Sequence, residues 1–273
     1  MSKTILTKEQ ENDIIYKYSV LGISKNKLRL EYNVSEGCIK RCLQRNGIHI
    51  RQVEETNISK YSIDESFFEY NKQNSQSAYI LGLFASDGTV AKNENMMCIE
   101  LQQADKEVLE QVNSILRNER PVKDYVCGNG YKNSKLYFYS KKMKQDLAFY
   151  DIIPNKTYEA KDFIKNIKPE YFWDFIRGFW DGDGSVTNTN GTIRWQLDGV
   201  CLETFEHIQE ILSDQYGIEV KIVYNLDERS TVPKYRLYCY SQNKCCKIFN
   251  HMYKDENCIK LHRKYNRFLE LLK

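Results

Sequence analysis

Two aspartates stand at matched places in this 273-residue chain. Asp87 ends the apolar run Ile80-Leu-Gly-Leu-Phe-Ala-Ser-Asp-Gly88, and Asp183 ends Ile176-Arg-Gly-Phe-Trp-Asp-Gly-Asp-Gly184. The runs are in register: Gly82 to Gly178 and Asp87 to Asp183 are both separations of 96 residues. Apolar runs of this length suit a buried strand or a buried helix, and the small residues favour helix. Gly82 with Ser86, and Gly178 with Gly182, are four apart and share one helical face. Two such helices can approach below the usual ~8–10 Å. Each then delivers one carboxylate at its C-terminal end, and packing side by side brings both to one point. Carboxylates that close repel unless a cation lies with them. Hard oxygen donors suit Mg²⁺, which keeps waters and binds substrate phosphates. Such a pair is equipped for metal-assisted phosphodiester hydrolysis. A single Asp-Gly commonly only starts a turn; two in-register copies with the same small-residue face argue for a site.

The chain around the runs repeats as well. After Gly88 a hairpin is predicted around Asn93–Asn95, with Met96–Gln102 as its second strand. Helical spacing covers Asp105–Arg117, strands are predicted at Pro121–Val126 and Lys135–Ser140, and a helix at Lys141–Tyr150. The second half reads strand Ser185–Thr189, turn Asn190-Gly191, strand Thr192–Leu197 and helix Cys201–Tyr216. Strands Val220–Tyr224 and Tyr235–Tyr240 and helix Gln242–Met252 complete it, and Leu136-Tyr-Phe-Tyr-Ser140 matches Leu237-Tyr-Cys-Tyr-Ser241. The expected fold is α+β: two pseudo-symmetric αββαββα halves, residues 65–167 and 168–273, about an axis between the motif helices.

Both runs resemble the LAGLIDADG motif of homing endonucleases, and the chain is similar to a free-standing monomer with two motifs. The resemblance covers roughly residues 65–273. It implies that Asp87 and Asp183, the last acidic residues of the motifs, bind the catalytic metal, two or more Mg²⁺ ions in all. One departure is visible: the earlier acidic position of the motif is Ala85 in the first copy and Asp181 in the second. The family also places a lysine in the active site after the last helix of each half, which by position implies Lys156 and Lys264. Its polar residue at the end of the second strand falls on Gln102 or Asp105, and on Asp198 or Cys201. The implied activity is site-specific cleavage of both strands of double-stranded DNA across the minor groove, with short 3′ overhangs. Rival readings keep the fold without the chemistry, as a DNA-binding regulator or an RNA-splicing maturase. Retained motif aspartates favour the nuclease. Nothing at the C-terminus, Glu270-Leu-Leu-Lys273, resembles the His-Asn of an intein.

A sheet packed on one side alternates its residues inward and outward. Ile193, Trp195 and Leu197 are expected inward, with Arg194, Gln196 and Asp198 outward; Ile99 and Leu101 inward, with Cys98, Glu100 and Gln102 outward. Outward Gln102, Arg194 and Gln196 suit base edges. Arg236, Tyr137, Tyr139 and Tyr238, with Lys123, Lys132 and Lys135, suit the DNA backbone.

The first fifty residues read as a separate helix-turn-helix. Thr7-Lys-Glu-Gln10 is a capping box, followed by Ile14, Ile15 and Tyr18 on one side. Gly22 turns the chain, and a second helix after Ser24 carries Leu28, Leu30 and Tyr32. A third helix, about Glu36–Arg45, is capped by Ser35 and stopped by Gly47, with Cys38, Ile39, Cys42 and Leu43 inward. Its outward Lys40, Arg41, Gln44 and Arg45 suit the major groove. Residues 51–64 are expected to be a linker.

Composition bounds the rest. The net charge of +3 is close to neutral, so a basic face would have to be local. Nine scattered cysteines without CxxC spacing argue against a zinc site and for free thiols. His49, His207, His251 and His262 read as surface or core residues rather than general bases. The N-terminus lacks an apolar signal core, and no run nears the ~20 apolar residues of a membrane span. A monomeric, intracellular, soluble protein with no membrane partner is expected.

Overall fold

The computed structural model describes residues 6–50, 61–128, 130–225 and 232–273. The chain divides into two compact units, Met1–Ile58 and Ser59–Lys273.

The first unit holds three helices, α1 (Lys8–Ser19), α2 (Lys25–Glu31) and α3 (Glu36–Arg45). Each starts at a hydroxyl cap: Thr7, in a capping box with Gln10, then Ser24, then Ser35. Those caps satisfy N–H groups that the first helical turn leaves without partners. Ile14, Tyr18, Leu28, Ile39, Cys42 and Leu43 form the core. Of the two leucines on α2, Leu28 fills the inner side and Leu30 is 65% exposed.

In the second unit the first half contains α4 (Ser75–Ser86), β1 (Gly88–Val90), β2 (Met96–Gln102), α5 (Lys106–Ile115), β3 (Lys123–Val126), β4 (Lys132–Tyr139), α6 (Lys141–Phe149) and the one-turn α7 (Lys156–Glu159). The second contains α8 (Phe172–Asp183), β5 (Gly184–Thr189), β6 (Thr192–Gly199), α9 (Leu202–Tyr216), β7 (Lys221–Asn225), β8 (Lys234–Tyr240), α10 (Gln242–Met252) and α11 (His262–Leu272). Each half builds one antiparallel four-stranded sheet, in order β1-β2-β4-β3 and β5-β6-β8-β7. The registers correspond: Gly88 opposes Ile99, which opposes Leu136, as Gly184 opposes Leu197, which opposes Leu237. The αββαββα repeat is therefore present twice.

Both sheets turn one side to a shared core. Ser134, Leu136 and Phe138 of β4, and Ile193, Trp195 and Leu197 of β6, are buried at alternate positions. At the centre, α4 is buried from Ser77 to Ala85 without a break, as a helix enclosed on all sides must be. It lies against α8 at backbone contact. A Cβ on Gly82 would sit 2.2 Å from Phe175 O, and one on Gly178 would sit 2.0 Å from Tyr79 O. Only glycine fits at either position.

Several boundaries differ from expectation. Ser62 and Asp64, placed in the linker by the sequence, belong to the second unit: Asp64 N donates to Leu116 O and Glu119 N to Ser62 O. The strand expected from Pro121 begins at Lys123, since proline and its neighbour lie outside the ladder. Cys98 is on the outer side of β2, opposite Thr89 and Tyr137, yet it is buried beneath its neighbours rather than open. The terminal helix α11 was not anticipated. All nine cysteines are free thiols, and no described helix is long and apolar enough to cross a membrane.

Candidate active site

Asp87 is the C-cap of α4 and Asp183 is the last residue of α8, so the paired glycines bring both to one end of the helix pair. A Cβ on Gly182 would meet Ser86 Oγ at 2.0 Å and Asp87 Oδ2 at 2.9 Å. The Asp87 carboxylate thus lies against the residue before Asp183. Asp87 also lines a cavity of about 840 Å³ with Gln102, Asp105, Lys132, Gly182 and Arg263 among its walls.

Two lysines close the site from beneath. Asn155, held at φ 57°, turns the chain so that Lys156 starts α7; its Nζ donates to Ser86 O (2.6 Å) and Gly88 O (2.7 Å). Lys264, in the first turn of α11, donates to Trp180 O (3.0 Å), Gly182 O (2.8 Å) and Gly184 O (2.7 Å). Each ammonium caps the carbonyl end of one motif helix, where the helix dipole is negative. The halves differ in one respect. All three Lys264 protons are committed to carbonyls, whereas Lys156 has one to spare among the described residues.

The four charges shape one another. Burial raises the Asp87 carboxyl above the usual range, opposed by Lys264, Lys156 and Arg263. Asp183 reaches about 6, raised by burial and then by the Asp87 charge, although the residue as a whole is exposed. Burial lowers Lys156 and Lys264 each to about 8, against the pull of the aspartates. No described residue donates a hydrogen bond to either carboxylate. Two close, hard, unsaturated anionic donors fit a divalent cation. No third Asp, Glu, His or Cys completes a cluster among the described residues, which suits Mg²⁺, since it retains waters and takes phosphate oxygens from its substrate. Asp105, the nearby acid, is buried and already engaged: Arg263 Nε donates to both its oxygens at 3.1 and 2.9 Å.

Asp181, the extra acidic residue of the second motif, borders the same cavity but has structural partners. It is buried and accepts from Tyr79 Oη (2.8 Å) and Leu261 N (2.9 Å). It thereby ties α4 of the first half to the start of α11, the helix that carries Arg263 and Lys264.

The remaining residues singled out from the sequence fall into three places. Gln102 and Lys132 line the cavity with Asp87. On the outer sheet faces, Lys135 pairs with Glu100 (2.8 Å) and Arg236 with Asp198 (2.6 Å), while Gln196 Nε2 donates to Asp198 (3.2 Å). Arg194 lies over the rings of Tyr238 and Tyr240. Lys40, Arg41, Gln44 and Arg45 are exposed on α3 of the other unit, and Arg45 is bound to Glu11 at 2.5 Å. His207 bonds Asp162, and His251 stacks on Trp173. Sequence reasoning missed Arg263 and Arg120. Arg263 was detectable as the neighbour of Lys264. Arg120 carries no local signal, being a loop residue whose partners, Tyr61, Tyr137 and Tyr139, are distant in sequence.

An uncharacterized protein of Methanocaldococcus jannaschii is 30% identical over 151 residues, 54% of each chain. The chain thus spans about half the length of that curated relative. Among solved structures, the endonuclease I-WcaI bound to its DNA recognition sequence shares 12% identity over 72% of this chain and 90% of that one, with a TM-score of 0.48. The meganuclease I-SmaMI bound to uncleavable DNA gives 12%, 71%, 87% and 0.46. The N-terminal LAGLIDADG domain of WhiA gives 17%, 69%, 88% and 0.45. A family profile, the LAGLIDADG-like domain, matches residues 74–124 and 173–251. Those stretches hold both aspartate-terminated helices, and over them the chain matches the LAGLIDADG-like domain family.

Proposed function

We propose that the chain is a Mg²⁺-dependent homing endonuclease that cuts both strands of a specific DNA duplex, acting as a monomer because one chain supplies both carboxylates. The observation that carries this reading is the placement of Asp87 and Asp183 side by side at the ends of α4 and α8, unbonded and ringed by three cations. Asp87 and Asp183 would hold the metal, one aspartate chiefly serving each strand. When bound, Mg²⁺ supplies a Lewis acid for the phosphodiester oxygens and an acidified water.

The chain's own residues do the rest. Lys264, fully bonded to carbonyls, acts as a fixed positive charge beneath the reacting phosphate. Lys156, with one N–H uncommitted, is the group able to donate to developing charge on a phosphate oxygen. Arg263, held by Asp105, adds a third cation. Gln102 and Lys132 on the cavity wall would orient the strand. Arg194, Gln196, Lys135 and Arg236 would meet the duplex along the sheets. The helix-turn-helix reading of residues 1–50, with Lys40, Arg41, Gln44 and Arg45, would add a second DNA contact and raise affinity by linkage.

The test is a pair of substitutions. Asp87→Asn and Asp183→Asn should each abolish double-strand cleavage of a site selected from a random duplex library, in Mg²⁺, while leaving duplex binding in place. Cutting at the wild-type rate by either variant overturns the assignment. A wild-type chain that binds duplex but cuts none of the library would instead identify a regulator built on the same fold.

A further inference from the structure

The two sheets differ at most outward positions, yet one arrangement recurs. On β4, Tyr137 and Tyr139 stand together on the outer side, with ring centroids 6.3 Å apart; on β8, Tyr238 and Tyr240 do the same at 5.2 Å. The pairs occupy equivalent registers, one and three residues beyond Leu136 and Leu237. Each carries a guanidinium. Arg120 lies 4.6 Å from the Tyr137 centroid and 5.5 Å from that of Tyr139; Arg194 lies 4.7 Å from Tyr238 and 5.3 Å from Tyr240.

The arginines do not come from equivalent places. Arg194 is on β6, directly opposite Tyr240. The matching position on β2, opposite Tyr139, is Met96, and the first half fills the gap with Arg120 from the loop between α5 and β3. What is repeated is therefore the charge at that point in space, not the residue in the chain. A packing requirement alone would be met by any apolar cover over the rings.

Acid pairing separates these arginines from their neighbours. Lys135 and Arg236, also at equivalent registers, are neutralised by Glu100 and Asp198 across the strand. Neither Arg120 nor Arg194 has an acidic partner among the described residues. Aromatic faces hold a guanidinium in place without cancelling its charge. In both, Nε is buried without a hydrogen-bond partner, so the donors left for a ligand are the terminal nitrogens, one of which, on Arg120, already meets Tyr137 Oη at 3.1 Å.

We infer that Arg120 and Arg194 form a matched pair of duplex-phosphate contacts, one per sheet, each pre-set on its own tyrosine pair. This deepens the nuclease reading and rests on it. Phosphate rather than guanine is the ligand because the pair obeys the two-fold relation of the halves. Backbone phosphates repeat with the duplex whatever its sequence, whereas base edges need not. Positions suited to base reading do break the relation: Cys98 in one half stands where Gln196 stands in the other.

The salt dependence of binding is the measurement. The full chain, with EDTA to prevent cutting, is titrated against a short random-sequence duplex over a range of salt. Each of Arg120→Gln and Arg194→Gln should reduce the slope of log affinity against log salt by about 0.9, and the double variant by about twice that. Arg→Lys at each site should restore the slope, because the charge returns; it also guards against a folding defect in the Gln forms, checked in parallel by thermal unfolding. Lys247→Gln, an exposed residue on α10, should leave the slope unchanged. Gln variants with wild-type slopes overturn the inference, as does an unchanged slope with relaxed preference at one base pair, which would mark a guanine contact. If the wild-type chain binds no duplex, the nuclease reading falls and takes this inference with it.

Discussion

The lysines show how one residue type at matched positions can hold different roles. Lys264 spends three donors on α8 and its exit; Lys156 spends two on α4 and its exit. Lys264→Met removes three hydrogen bonds to carbonyls and should destabilise the fold by about 2–4 kcal/mol, at roughly 1 kcal/mol or more for each bond to a charged donor. Lys156→Met should cost less stability than Lys264→Met and should lower single-turnover cleavage more per unit of stability lost. Urea denaturation alongside cleavage rates separates the two; equal effects of both variants on both readouts would refute the division. The aspartates were legible because two chemical signals, the carboxylate and the small-residue face, coincide twice in the sequence. The lysines were reachable only through resemblance, since nothing local distinguishes a lysine under a helix end from one in solvent. The acid pairing of Lys135 and Arg236 was hidden for a related reason: a strand's outer residues can be read from alternation, but their cross-strand partners depend on register.

At the level of elements, the α4–α8 contact carries the architecture. Gly178→Ala would drive a methyl to within 2.0 Å of Tyr79 O, which is backbone and cannot step aside. The expected loss is about 3 kcal/mol or more, with a thermal midpoint lower by about 10 °C for a unit of this size. Gly128→Ala, where an added Cβ meets nothing within 4 Å, should change the midpoint by less than about 1 °C. A Gly178→Ala protein with the wild-type midpoint would mean that the helices separate without cost. These helices, and the hairpins after them, were legible because glycine spacing, Asn-Gly turns and strand alternation are local. Helix α11 carried its own signal, Tyr265, Phe268, Leu269 and Leu272 at helical spacing, with Phe268 buried. It went unread because the repeat of the first half stops at a single turn, α7. Asp181 supplies the physical reason for the difference: the second half has a buried acid to receive the backbone of Leu261 and start a longer helix, and the first has Ala85 in its place.

Taken whole, the chain pairs a small unit with a large one, each with its own hydrophobic core. A fragment of residues 59–273 should therefore unfold cooperatively by itself and keep the cleavage activity. Its duplex affinity should fall, with a shallower salt slope, because the phosphate contacts proposed for α3 would be gone. Cleavage lost with the first fifty-eight residues, from a fragment that remains folded, would show that the small unit takes part in the chemistry. The reach of the second unit back to Ser62 rests on backbone hydrogen bonds that pair Asp64 with Leu116 and Ser62 with Glu119, far along the chain. The close seam between the central helices has one last consequence. Because main chain rests on main chain at Gly82 and Gly178, the spacing of the two helices that carry the aspartates is set there by peptide geometry. On the proposed nuclease reading, that spacing is a ruler of constant length against the double helix. The molecule's incisions should keep the same stagger on every sequence it accepts, even where its choice of sequence has been re-engineered along the sheets.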